Sequence, residues 1–252
     1  MLILALSNLA AFIPKGEYHE AIRELDRFVE PAVARALALE QDELEKITRS
    51  DEQFTFLHSI VQQTRDPKQV RDEIMSVFIA GRDTTAATLS WAIYEICGHS
   101  TAWSKIRQQV LDALGTEGNP TYDSLKELSY VRNVVNETLR LHPAVPFDMR
   151  EALETTTIPG ASGEPDIVVL KGDIITIHAA SMQAREDLYP LESEDFAHHS
   201  KFSPERWEHW APKPWTYIPF HGGPRICIGQ DFALTEIAYC RKCFRTLVVK
   251  GS

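Results

Sequence analysis

The chain has 252 residues, 44% hydrophobic and 25% charged, with a formal net charge of -10. This is the composition of a globular protein with one sizeable core or two modest ones, and the acidic balance argues against nucleic acid, whose phosphates call for clustered Lys and Arg. Four cysteines in a chain this long make no disulfide framework and point to a reducing, intracellular compartment.

The opening MLILALSNLAAFI is apolar but shorter than the roughly 20 residues that span a bilayer. It also lacks the basic start of a signal peptide, so an ordinary buried helix is expected there. Residues 19–40 carry apolar side chains at helical spacing, with Pro31 expected to bend the helix. QDELEK, residues 41–46, reads as a solvated charged face.

A long helix is expected from Pro67 to Gly98, with Asp66 as N-cap and Gly98 as stop. At 1.5 Å per residue it would run about 48 Å. Val70, Ile74, Val77, Phe78, Leu89, Ile93 and Ile96 give it apolar sides suited to a central position. A further helix is expected over 100–115, with Ser100 or Thr101 as N-cap and Gly115 as stop. Another covers SYVRNVVNETLRLHP and ends at Pro143.

The pattern then changes. In DIVVLKGDIITIH, residues 166–178, two β-branched runs flank Lys171-Gly172-Asp173 and predict a hairpin. An irregular stretch over 180–219 precedes a last helix over 232–249. The fold class expected is mainly α with a small β element, in one domain over 1–252, with no linker or internal repeat.

The most unusual stretch is PFHGGPRICIGQ, residues 219–230. Cys227 lies between Gly223 and Gly229, with Arg225 two residues before it. A structural cysteine is normally a small buried hydrophobe among core neighbours, and glycines mark close approach or unusual backbone angles. A thiolate ligand needs electropositive surroundings and donors to sulfur, which Gly229 and the amides opening the last helix supply. Phe220, Gly223, Arg225, Cys227 and Gly229 form F-x-x-G-x-R-x-C-x-G. This segment resembles the haem-binding loop of cytochrome P-450 monooxygenases, in which that cysteine is the axial thiolate of haem iron.

Other segments carry the same resemblance in the same order. AGRDTT, Ala80 to Thr85, is similar to the family's oxygen-binding A-G-x-[DE]-T-T. Ala80 and Thr84 are one turn apart, so the threonine hydroxyl can reach the Ala80 carbonyl, and Gly81 leaves room beside the helix. The bland alternative there is a small-residue packing groove. Glu137 and Arg140 share a helix face, and ETLRLHP resembles the family's E-x-x-R helix. FSPERW resembles the segment that donates a second arginine, here Arg206, and Arg150 matches loosely an arginine for a haem propionate. Cys240 and Cys243 form C-x-x-C within the expected last helix, without a second pair to complete a metal site. His198 and His199 are read as surface residues.

The resemblance covers roughly residues 50 to 245 and implies a cytochrome P-450 fold, truncated at its N-terminal half and its C-terminal strands, with no membrane anchor. Family members are usually at the endoplasmic-reticulum membrane. The implied cofactor is haem (iron protoporphyrin IX), and the implied reaction inserts one atom of O2 into a C–H bond of an apolar small molecule. Thr84 and Asp83 would then deliver protons, Arg225 would hold a propionate and Phe220 would shield the sulfur. Glu137, Arg140 and Arg206 would support the site. Electrons would come from an NADPH-dependent flavoprotein reductase, docking near Arg241 and Lys242. AGRDTT and GGPRICIGQDFALTE most resemble fungal subfamilies that hydroxylate alkanes and fatty acids. Two other readings are a non-catalytic remnant with its motifs intact and a haem-thiolate isomerase or dehydratase; the retained AGRDTT argues against the latter.

Overall fold

The computed structural model describes residues 16–50, 54–115, 120–194 and 196–239. The apolar opening, Cys240, Arg241, Lys242, Cys243 and the end of the expected last helix lie outside these residues. Two compact units divide the chain, one up to Ala80 and one from Gly81 onward.

The first unit is helical. Helix α1 (Gly16–Leu37) runs unbroken through Pro31, so the bend expected there does not divide it. Its buried Val29, Val33 and Ala36 fall four and three residues apart and so line one stripe. Helix α2 (Gln41–Ser50) has the charged exterior its sequence suggests, with Leu44 alone fully buried among residues 41–46. Helix α3 (Phe56–Gln63) adds Ile60 and Val61, and α4 (Pro67–Gly98) adds Val70 and Met75, to the same apolar cluster. Arg71 on α4 is paired to Asp26 on α1, its Nε donating to Oδ1 at 2.6 Å.

Asp66 starts α4 as expected, its Oδ1 accepting the Lys68 N–H at 3.0 Å. The helix is less enclosed than its apolar pattern suggests. Val77, Phe78 and Ile93 are each more than two-fifths exposed, whereas Val70 and Ile96 are buried. No described helix is long and apolar enough to cross a membrane.

In the second unit α5 (Ser100–Leu114) stops at Gly115, whose φ of 62° suits a residue without Cβ. Its N-cap is His99 and not Ser100 or Thr101. The ring of His99 is held by Nδ1 at 2.7 Å from the Glu95 carbonyl. Short α6 (Tyr122–Lys126) leads into α7 (Ser129–Leu141), which is buried along most of its length. Around α7 lie two clusters. Ile106, Leu128, Val131, Val134 and Phe202 belong to one, and Val135, Leu139 and Ile237 form the other.

The predicted hairpin over 166–178 does not form. Strand β1 (Asp148–Glu151) pairs antiparallel with β4 (Ile174–Ile177), and β2 (Thr156–Ile158) pairs with β3 (Ile167–Val169). The Lys-Gly-Asp turn exists, with Gly172 at φ 90°. Its backbone is claimed by Ala152, which accepts the Gly172 N–H at 2.8 Å and donates to Asp173 O at 2.9 Å. Each β-branched run therefore finds its partner in the preceding segment. Helices α8 (Ala179–Gln183) and α9 (Arg206–His209) punctuate the irregular stretch, and α10 covers 230–239.

Of two phenols held in this unit, Tyr130 is buried and Tyr217 half-buried. Tyr217 OH donates to Asn136 O at 3.2 Å, and Tyr130 OH donates to Glu205 Oε1 at 2.8 Å. Burial pushes both above the ordinary phenol value, aided at Tyr130 by its hydrogen bond to Glu205. The folded chain thus keeps protons that the unfolded chain releases above pH about 10. Stability from these groups is complete below that pH and declines as pH rises further. Urea midpoints measured from about pH 8 to about pH 11 should fall through the upper part of the range, less steeply in Tyr217→Phe. A slope identical in the variant would contradict the burial assigned to Tyr217.

Candidate functional site

The loop 219–229 is closed by its own backbone. Cys227 N–H donates to Phe220 O at 3.0 Å, and Ile226 N–H donates to Gly223 O at 3.1 Å, forming the single 3-10 turn Gly223–Arg225. His221 and Gly223 take φ of 58° and 69° to make this reversal. Gly222 is required for a different reason, since a Cβ there would lie 2.4 Å from the Trp215 ring. It was not singled out from the sequence. Among the described residues a Cβ at Gly229 would meet only Cys227 Sγ, at 4.0 Å, so the missing side chain leaves space beside the sulfur.

The two ends of the loop face opposite ways. Phe220 packs with Leu89 of α4 and Leu234 of α10 against buried Val135, Leu139 and Ile237. Cys227 is exposed, and Ile226, Ile228 and Phe232 around it are 53%, 84% and 69% exposed. Arg225 is exposed on the same turn. Through Leu89 and Phe220, the AGRDTT helix and the cysteine loop are held to one core.

Within AGRDTT, Asp83 is exposed, with Arg82 Nε 3.6 Å from its Oδ1. Thr84 is half-buried, and its carbonyl accepts the Thr88 hydroxyl at 2.9 Å. Beyond its own helix, no described residue comes within 4 Å of where a Cβ at Gly81 would sit. Thr85 Oγ1 is buried without a hydrogen-bond partner among the described residues, a costly state for a hydroxyl.

Glu137, fully buried, is the centre of the best-defined polar cluster. Its Oε2 accepts from Arg140 Nε at 2.8 Å and Trp207 Nε1 at 3.0 Å. Its Oε1 accepts from Arg140 Nη2 at 2.8 Å, Ser203 N–H at 3.0 Å and Arg206 Nε at 3.3 Å. Arg206 spends its other donors on the carbonyls of Ala197, His198 and Lys201, at 2.9, 3.1 and 3.3 Å. Burial works to lower Arg140, and its hydrogen bonds to Glu137 outweigh that and hold it above its ordinary value. At Arg206 burial prevails and lowers it.

Gln183 connects this cluster to the cysteine loop. Its Nε2 donates to the last-turn carbonyls of α7, Leu139 O at 3.1 Å and Arg140 O at 3.0 Å. These groups have no partner within the helix itself. Its Oε1 accepts Ile218 N–H at 3.0 Å, immediately before the loop. Trp207 also packs edge-on against Tyr217, with ring centroids 4.9 Å apart. Gln183, Trp207 and Tyr217 were not anticipated, and a glutamine in an irregular stretch gives no sequence signal for such a role.

Arg150, on β1, is drawn to Asp148, with Nη1 2.5 Å from Oδ2. Asp148 Oδ2 also lies 3.8 Å from His221 Nδ1 in the cysteine loop. The hydrogen bond from Arg150 holds the Asp148 carboxyl below its ordinary value. His221 Nε2 is buried without a partner among the described residues.

Removing the Glu137 carboxylate would leave two arginines buried without their counter-ion. Glu137→Ala should cost about 3–5 kcal/mol of stability, measured by urea unfolding at neutral pH. A loss below about 1 kcal/mol would place the pair in the range of exposed ion pairs and contradict the burial described.

The family description of cytochrome P450 matches residues 7–244. The chain is 45% identical over 239 residues to cytochrome P450 monooxygenase pvhE of Talaromyces variabilis, covering 93% of this chain and 44% of that protein. It is 35% identical over 235 residues to cytochrome P450 52A13 of Debaryomyces hansenii, covering 90% of this chain and 44% of that protein. The solved heme domain of cytochrome P450DA superposes with a TM-score of 0.61 at 24% identity, over 71% of this chain and 38% of its own. The chain thus spans less than half the length of these relatives, with a mostly helical fold that matches part of that heme domain. With the family description matching most of its length, the chain belongs to the cytochrome P450 family.

Proposed function

We propose that this chain carries the haem-thiolate site of a cytochrome P450 monooxygenase, with Cys227 as the axial ligand of iron protoporphyrin IX. The observation that supports it most is the exposed Cys227 thiol, presented by a closed loop and bordered by exposed Ile226, Ile228 and Phe232. A flat apolar group laid on that face would cover these side chains. The open space at Gly229 lets it approach the sulfur. Arg225 lies two residues before Cys227, and α10 begins three residues after it. The residues present fit the group.

In this reading Arg225 pairs with a propionate, and Arg150 does the same by leaving or sharing Asp148. Phe220 anchors the loop from the inside. When bound, haem supplies the activation of O2 that inserts one oxygen atom into a C–H bond, the other leaving as water. Thr84 holds a water and its proton at its hydroxyl, and exposed Asp83 exchanges protons with solvent and passes them inward. Glu137, Arg140 and Arg206 fix the approach to the cysteine loop. Electrons come from an NADPH-dependent flavoprotein reductase, with Arg241 and Lys242 offered as docking residues. The whole chain acts as part of one intracellular haem domain. Its substrate is apolar, an alkane or fatty acid by the likeness of AGRDTT and GGPRICIGQDFALTE to the fungal hydroxylases of that kind.

A remnant without turnover is the second reading. It is favoured by the exposure of Val77, Phe78 and Ile93 on α4, because a site open to water leaks its activated oxygen. Spectroscopy and turnover separate the two. The full chain supplied with haem, reduced under carbon monoxide, should give a red-shifted thiolate-type Soret band that is lost in Cys227→Ala. Failure to retain haem, or an unchanged band in the variant, would overturn the assignment of Cys227. A normal band without fatty-acid oxidation in the presence of reductase would favour the remnant.

A further inference from the structure

Glu186, His198 and His199 have no role in the haem site proposed above, and each brings one ligand atom within 4.8 Å of the other two. We propose that these three side chains bind a divalent transition-metal ion, zinc first among them, and that the ion clamps the turn Glu186–Leu188 to the segment 197–201.

The sequence reads the two histidines as surface residues. Both are half-buried, with ring centroids 4.1 Å apart. His199 stacks on Tyr189 at 5.7 Å and 23°. His198 Nδ1 sits 2.8 Å from Ser200 Oγ. Nδ1 also accepts the Ser200 N–H at 3.3 Å, so a metal on Nε2 requires the ring proton to move to Nδ1, where Ser200 Oγ can accept it and orient the ring. Glu186 is exposed and opens a single 3-10 turn, so its side chain is able to swing.

The donor set decides the class of ion. Two imidazoles and a carboxylate, completed by water, suit four-coordinate zinc with bonds of about 2.0–2.2 Å. Calcium and magnesium prefer all-oxygen sites. Tetrahedral bonds of that length place neighbouring ligand atoms about 3.3 Å apart, so the three need to contract, and the exposed glutamate is the one placed to move. The positive charges of nearby Arg140 and Arg206 reduce the attraction for a cation, which the Glu186 carboxylate has to offset.

The clamp would act on the Glu137 cluster from outside. The carbonyls of Ala197, His198 and Lys201 accept from Arg206, and Lys201 O accepts from Arg140 as well. Tyr189, beneath His199, accepts from Arg140 Nη1 at 3.4 Å. Fixing His198 and His199 to Glu186 therefore holds in place the backbone that satisfies both buried arginines. Binding to the folded chain alone raises its apparent stability by mass action.

The test is calorimetric titration of zinc chloride into the full chain, stripped with chelator and free of any histidine tag. One zinc per chain is expected, with a thermal midpoint that rises with zinc concentration. Glu186→Gln and His199→Ala should each weaken binding by about tenfold or more, whereas His209→Ala, exposed on α9, should bind as the parent does. Glu186 is exposed, so Glu186→Gln is expected to fold normally by circular dichroism and decides the matter if His199→Ala does not fold. Absence of saturable uptake, uptake unchanged in Glu186→Gln, or equal loss in His209→Ala would overturn the proposal.

Discussion

A single carboxylate with no access to water organises the second unit. Glu137 accepts five hydrogen bonds, from Arg140, Arg206, Trp207 and the Ser203 amide. Buried charges of this kind add little net stability over a well-packed apolar cluster, because their desolvation offsets their attraction. Their effect is on geometry, since a fully satisfied buried network has few alternative arrangements. Arg206 extends the constraint to three carbonyls of an otherwise irregular segment. Gln183 extends it from the end of α7 to the Ile218 amide at the mouth of the cysteine loop.

That loop is then fixed at both ends by the chain's own contacts. Its entry is held by Gln183 and by Phe220 packed into the Val135, Leu139 and Ile237 cluster, and its exit becomes α10. Between them the Phe220 carbonyl and Cys227 amide close the turn and leave the thiol outward. A loop held in this way has few alternative arrangements, which would limit the reorganisation needed if it receives the haem proposed above.

The parts legible in the sequence were those where local chemistry decides. The α4 and α7 helices follow from apolar spacing with caps and stops nearby, and the cysteine loop follows from rare residue types at fixed separations. The hairpin was misread because the β-branched runs of 166–178 pair with 148–158, a segment with no clear alternation of its own. Gln183, Trp207 and Tyr217 were invisible for a related reason: their partners on α7 lie 43 or more residues away, and nothing local announces them. His198 and His199 sit in a polar stretch that looks solvated until Tyr189 is packed beneath it. Periodicity also suggests a central α4, yet among the described residues Val77, Phe78 and Ile93 stay exposed, because apolar spacing reports which residues need cover and not what covers them.

The central claim is that the buried cluster presets the cysteine loop through Gln183. Amide hydrogen exchange in Gln183→Ala tests it most directly, read at Ile218 and Cys227 with Ile106 of α5 as an internal reference. The account predicts that Ile218 and Cys227 both lose protection while Ile106 keeps its own. Loss confined to Ile218, with Cys227 as protected as in the parent chain, would contradict it.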